Sequence, residues 1–175
     1  AADALNSFTL WPDWVWNNSE MERFVSWLRL HNLQLPPAKR IHFYGIDLYG
    51  VTSVLPRLSG MMATNAARGA LQECLAPYQE NLLFYAAAVQ QGTADCSALV
   101  AALTASLLER ENPLPFAVQQ RLRIIEHAEA YYRLMASSDT AAWNLRDTHF
   151  AETLEFLLKR LGPQSKGIVW AHNTH

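Results

Sequence analysis

Apolar positions recur at helical spacing soon after the start of the chain: Met21, Phe24, Val25 and Leu28. Steps of three and four residues place them on one face of a helix. Ser19 followed three residues later by Glu22 reads as a capping box that opens this helix. Asn32 is its expected stop, and Pro36 with Pro37 forbids continuation. The pattern then changes. Residues 41–48 (IHFYGIDL) are apolar almost throughout, as a strand covered on both faces should be. From there to Ser138 the spacing is mostly helical. Asp95 predicts an N-cap for a helix running to about Arg110, and the prolines at 113 and 115 break the chain. Phe116 to Met135 reads as another helix, with Leu122, Ile125 and Ala128 or Glu129 on successive turns. Asp139 caps the last long helix, whose apolar stripe is Phe150, Ala151, Leu154, Leu157, Leu158 and Leu161. Gly162 followed by Pro163 ends it. Residues 167–171 (GIVWA) are a short apolar run opened by glycine, which is what a buried strand looks like.

Two strands joined by a long helical excursion predict an α/β fold. Its core is a parallel β-sheet, because parallel neighbours need such a crossover. Residues 41–47 and 166–171 are the expected parallel strands. Residues 52–138 form a large helical insert, so the piece is mostly helical by residue count. The insert is placed to serve as a lid or small subdomain over a site.

Composition narrows the class. Half of the 175 residues are apolar and 17% are charged, which is the balance of a globular chain. A formal net charge of −2 with no basic block disfavours a nucleic-acid partner. No stretch reaches the length of a membrane span, so no membrane partner is expected. Cys74 and Cys96 are the only cysteines and match no metal spacing, which suits a reducing compartment.

The candidate chemistry gathers at element ends. His172 and His175 directly follow the last apolar run, and open sheets bind ligands at the carboxyl ends of their strands. Asp47 lies near the end of the first run. It is either an anchor for the next loop or an active-site carboxylate, since a carboxylate there needs a partner. On the last helix Asp147 lies on the apolar stripe, and Arg146 and His149 share the adjoining face. A salt bridge with helix packing accounts for them; so does an arginine fork that binds an anionic or carbonyl oxygen. Phe8, Trp11, Trp14 and Trp16 are core anchors or one wall of an apolar substrate pocket. His127 stands alone as a surface or core residue, and Tyr131 and Tyr132 read as packing. No Gly-x-Ser-x-Gly elbow occurs. The titratable inventory of histidine, carboxylate and arginine fits direct activation of water.

Four stretches resemble one family in family order. Residues 170–175 (WAHNTH) resemble the W-A-H-N-x-H signature of the erythromycin esterase family. Residues 11–18 (WPDWVWNN) resemble its W-x-W-x-N segment, and residues 44–49 (YGIDLY) its F-Y-G-x-D-x-Y strand. Residues 146–152 (RDTHFAE) resemble its R-D-x-x-M-A-E helix start, with Phe where Met is usual. The resemblance implies a cytoplasmic bacterial hydrolase, of the kind associated with macrolide resistance, that opens a lactone or similar ester without a metal or other cofactor. His172, His175, Arg146 and Asp47 would be catalytic, with Trp14, Trp16, Tyr49, His149 and Asp147 against the small-molecule substrate. The family's G-E-x-x-H-G segment, thought to activate water, has no counterpart in residues 1–175. The chain therefore reads as a single partial domain, expected to be nearly inactive alone and to need that segment or self-association. Two other readings remain open. One is a metal-dependent hydrolase or metal-binding protein using His172 and His175; the other is an inactive structural or interaction module.

Overall fold

The computed structural model describes Leu5 and residues 13–57, 66–79, 81–109 and 113–171, with Asp13 and Thr52 by backbone alone. It divides into two compact units, Ala1–Gly45 and Ile46–His175.

In the first unit α1 (Asp13–Trp16) is followed by α2 (Ser19–Leu33). The N-cap of α2 is Asn18, one residue before the expected Ser19. Its Oδ1 accepts from the Met21 backbone at 2.9 Å while its Nδ2 donates to the carbonyls of Trp14 and Val15. One amide thus satisfies orphan groups on two helices, and a serine hydroxyl, with one hydrogen, could donate to only one of the two carbonyls. Met21 and Leu28 are buried as the spacing predicts.

The first expected strand is a correction. Residues 41–47 carry no regular secondary structure, and no strand or sheet forms among the described residues. The side chain of Asn32 supplies what a neighbouring strand would supply. Its Oδ1 accepts from the Ile41 N–H and its Nδ2 donates to the Ile41 carbonyl, both at 2.8 Å. An extended run becomes a strand only where another backbone continues that ladder. Ile41, Phe43 and Tyr44 are exposed instead.

The second unit is helical. It comprises α3 (Val51–Arg57), α4 (Ala66–Leu75), α5 (Leu83–Gln90), α6 (Ser97–Leu108), α7 (Phe116–Met135) and α8 (Asp139–Leu161). Helix α7 has the predicted bounds and is central, packing against α3, α5, α6 and α8. Leu122, Ile125 and Ala128 bury its inner face against Leu48, Val51, Tyr85, Val100 and Leu103. Glu129 is buried beside them and accepts from the Tyr85 hydroxyl at 2.7 Å and from Arg133 Nε at 3.0 Å. Helix α6 starts after Cys96, and Asp95 accepts from the Ser97 backbone rather than serving as the cap itself. Helix α8 is capped by Ser138 and ends at Gly162, whose φ of 100° suits glycine.

Two further expectations give way here. The second apolar run, residues 166–171, likewise carries no regular secondary structure, and Ile168 and Trp170 are exposed. Its glycine lies close to α8: a Cβ on Gly167 would come within 3.3 Å of the Leu154 side chain, which would have to shift slightly. The parallel β-sheet core of an α/β fold is therefore absent among the described residues, and the architecture is a helical assembly. The buried face of α8 also differs from the predicted stripe. It runs through Ala142, Arg146, His149, Thr153 and Leu157, while Ala151 and Leu161 are exposed. Polar groups occupy the inner face because partners on other elements receive at least two of them. Among the described residues no helix is long and apolar enough to cross a membrane.

Cys74 at the end of α4 and Cys96 before α6 are joined as a disulfide. The sequence places these cysteines in a reducing compartment, where thiols stay reduced; the fold instead brings them together. The bond closes a loop across 22 residues of sequence. Reduction, or Cys74→Ser, should destabilise the protein by about 3 kcal/mol. Thermal melts with and without reductant check this. Coincident melts, with the oxidised bond verified by mass spectrometry, would contradict it.

Candidate functional site

Asp47 ends the exposed apolar run and enters the loop before α3, where its Oδ1 accepts from the Leu48 backbone at 2.7 Å. Arg146 lies 99 residues further on, two turns into α8. Its Nε donates to Asp47 Oδ1 at 3.0 Å and its Nη2 to Oδ2 at 2.7 Å. This is a two-pronged fork, in which both carboxylate oxygens are used and the planes are fixed. The arginine side chain is 10% exposed and the aspartate 41%. Aromatic rings surround the guanidinium. Its central carbon lies 4.3 Å from the Tyr49 ring centre, 5.3 Å from Phe150 and 5.8 Å from Trp143. Their electron-rich faces attract a cation that has left water. Burial opposes the arginine charge, but the hydrogen bonds and charge of Asp47 outweigh it and hold the proton more tightly. The Tyr49 hydroxyl meets that of Tyr131 on α7 at 3.5 Å.

One turn beyond Arg146, on the same buried face, His149 is 1% exposed. Its Nδ1 lies 3.0 Å from Nδ1 of His127 on α7, with the rings edge to face. Burial, then the neighbouring His127 and Arg123, push the His149 ring down to about 4. Burial and Arg123 lower His127 as well. Both rings are therefore neutral at neutral pH. Arg123 on α7 bonds Glu152 on α8 at 2.9 Å and closes this end of the seam.

The structure thus brings together Asp47, Tyr49, Arg146 and His149 in the second unit. Asp147, next along α8, is half-buried, and the arginine fork goes to Asp47 rather than to it. Trp14 and Trp16 belong to the first unit, where Trp14 is exposed and Trp16 packs edge-on against Phe43 at 6.5 Å. His172 and His175 lie outside the described residues. Among the described residues no group of three or more His, Cys, Asp or Glu is placed to hold a metal ion.

His127 and Tyr131 are the neighbours that sequence reasoning passed over. A signal existed. Helices α7 and α8 are joined by the short turn at 136–138, so residues at similar distances from it, to within about two positions, face each other. That rule pairs His127 with His149, Arg123 with Glu152 and Phe116 with Phe156, all of which are in contact.

A family model described as Erythromycin esterase matches residues 1–175, the whole chain. No solved structure matches the chain.

The neutral histidine pair gives a pH dependence with a definite sign. A folded-state pKa of about 4 against an ordinary 6.5 means that the unfolded chain binds the proton more readily. The stabilisation is present in full above pH 6.5 and is lost as the pH falls toward 4. From pH 7 to about pH 5, above the range where most carboxylates titrate, the loss should be about 1–2 kcal/mol. The thermal midpoint should drop by roughly 2–8 °C over that interval, and His149→Gln should flatten the slope. A midpoint that is level from pH 7 to 5 in the parent protein would contradict a buried neutral pair.

Proposed function

The chain belongs to the erythromycin esterase family, and on that premise we propose that it is a hydrolase that opens a lactone or similar carboxylic ester by activating water directly. Family membership carries the general class. The observation that favours this finer reading is the Asp47–Arg146 fork. It ties two of the family-like stretches, residues 44–49 and 146–152, into one cluster, although they are distant in sequence.

The roles follow from charge and geometry. Ester hydrolysis by water needs a base for the water, donors for the developing oxyanion and a wall for the acyl group. Arg146 has five N–H donors, and its fork to Asp47 occupies Nε and one hydrogen of Nη2. The Nη1 end is the part of the guanidinium suited to an anionic or carbonyl oxygen. Asp47 anchors the fork so that little reorganisation is needed when charge develops. Tyr49, Trp143 and Phe150 supply apolar wall around it. His172 and His175 are proposed as the groups that move protons at the reacting centre. The resemblance assigns the first deprotonation of water to the family's upstream Glu- and His-bearing segment.

The test uses the chain joined to that upstream segment, after exhaustive chelation, with a macrocyclic lactone as substrate. The expected result is a product heavier by one water. Arg146→Lys should lower kcat/KM by about tenfold or more, because an ammonium cannot keep the fork and present a second edge. His172→Ala or His175→Ala should also lower it steeply. No hydrolysis would sink the proposal. Activity lost on chelation and regained with zinc would replace it with a metal-dependent hydrolase.

A further inference from the structure

The seam between α7 and α8 is polar where a helical hairpin is ordinarily apolar. Phe116 stacks on Phe156 at one end. Helical spacing then carries Gln120, Arg123 and His127 along the same face of α7. Arg146, His149 and Thr153 are buried on the facing side of α8. The Nε2 of Gln120, the Nε of Arg123 and the Oγ1 of Thr153 are buried without a hydrogen-bond partner among the described residues. Buried polar groups cost stability unless they are bonded, and a structural seam gains nothing from them. At its centre are two imidazole nitrogens 3.0 Å apart.

We propose that His127 is a positioning residue for the site: it shares a single proton with His149 between the two Nδ1 atoms and so holds the two rings in opposite neutral tautomers, one turn from the Asp47–Arg146 pair. The proton count follows from the distance. Two nitrogens at 3.0 Å need one hydrogen between them. One ring therefore carries its hydrogen on Nδ1, and the other carries it on Nε2 and accepts through Nδ1. A third proton would go to the free Nε2 of the donor ring and leave this bond in place; only a fourth would put hydrogens on both facing atoms and break it. The charged groups acting on the pair are Arg123 and Glu126 of α7, Glu152 of α8 and Asp47 of the loop before α3. Their signs are mixed, so the pair stays neutral without a dedicated counter-ion. The same nitrogen separation would also suit two ligands on one metal ion. A catalytic zinc needs three protein ligands, and no third is placed beside these two among the described residues.

The shared proton is tested on the full chain with 15N-labelled histidines. At neutral pH, NMR should show a through-bond coupling between the two Nδ1 nuclei and opposite tautomers in the two rings. His127→Phe should remove the coupling and leave His149 a mixture of tautomers. His127→Asn, whose carboxamide can meet Nδ1 of His149, should keep that nitrogen hydrogen-bonded. Mixed tautomers without coupling in the parent protein would overturn the proposal. So would a stoichiometric zinc titration that shifts both Nδ1 resonances together.

The positioning role rests on the hydrolase reading, and a kinetic arm separates the two. His127→Phe should lower kcat on the lactone by about tenfold to a hundredfold, with KM little changed, and the Asn variant should recover most of it. An unchanged kcat in a variant that has lost the coupling would overturn the positioning role while the hydrolase reading stands. These kinetics are read on the chain joined to the family's upstream segment; absence of hydrolysis there, with the coupling present, would overturn the hydrolase reading and uphold the shared proton.

Discussion

Arg146 carries a full positive charge onto the face of α8 that the helix otherwise uses for packing. A charge in that place is tolerable only with a partner whose geometry matches it. Asp47 is that partner, and it comes from the loop preceding α3 rather than from a neighbouring turn. The ion pair therefore fixes more than its own atoms. It ties the entry of the second unit to its last helix and sets the guanidinium against Tyr49, Trp143 and Phe150. Through Tyr49 it reaches the Tyr131 hydroxyl on α7. Because the aspartate remains partly exposed, the pair is buried at one end and open at the other.

The remaining polar interior follows the same logic. Glu129 lies in the core, yet Tyr85 and Arg133 satisfy it, and the Tyr85 hydroxyl in turn accepts from the Cys96 backbone at 2.8 Å. That network joins α5, α6 and α7 next to the disulfide that ties α4 to α6. Its groups are accounted for, and it reads as structure. The α7–α8 seam differs: burial holds its histidines neutral at neutral pH, and some of its donors lack a partner among the described residues. Stability alone would favour leucine at such positions.

Periodicity carried α7 from the sequence to its observed ends because nothing competes with its apolar face. It failed on α8 for a physical reason. Leu154, Leu158 and Leu161 look like the buried stripe, but Arg146 and His149 turn inward once Asp47 and His127 receive them. Such partners are distant in sequence and leave no local trace. The apolar runs failed for another reason. Apolar residues at 41–47 and 166–171 do not by themselves make a strand. Whether such a run pairs depends on a second backbone, and at Ile41 the amide of Asn32 takes that part. The choice of Asn18 over Ser19 as cap depends on α1, a four-residue helix too short to leave a periodic signal. Of the candidate site, Asp47, Tyr49, Arg146 and His149 were legible as chemistry-bearing residues in the right stretches. What the sequence did not give was their pairing, which is a property of the fold.

The account depends most on the claim that Asp47 and Arg146 act as one unit. A double-mutant cycle measures this directly, using Asp47→Asn, Arg146→Leu and the double variant in urea unfolding of the oxidised protein. A fork with one buried partner should give a coupling of about 1.5–3 kcal/mol. The double variant would then be scarcely less stable than the worse single one. Additive losses, with a coupling below about 0.5 kcal/mol, would mean that the two residues are independent and that the site is not organised around their contact.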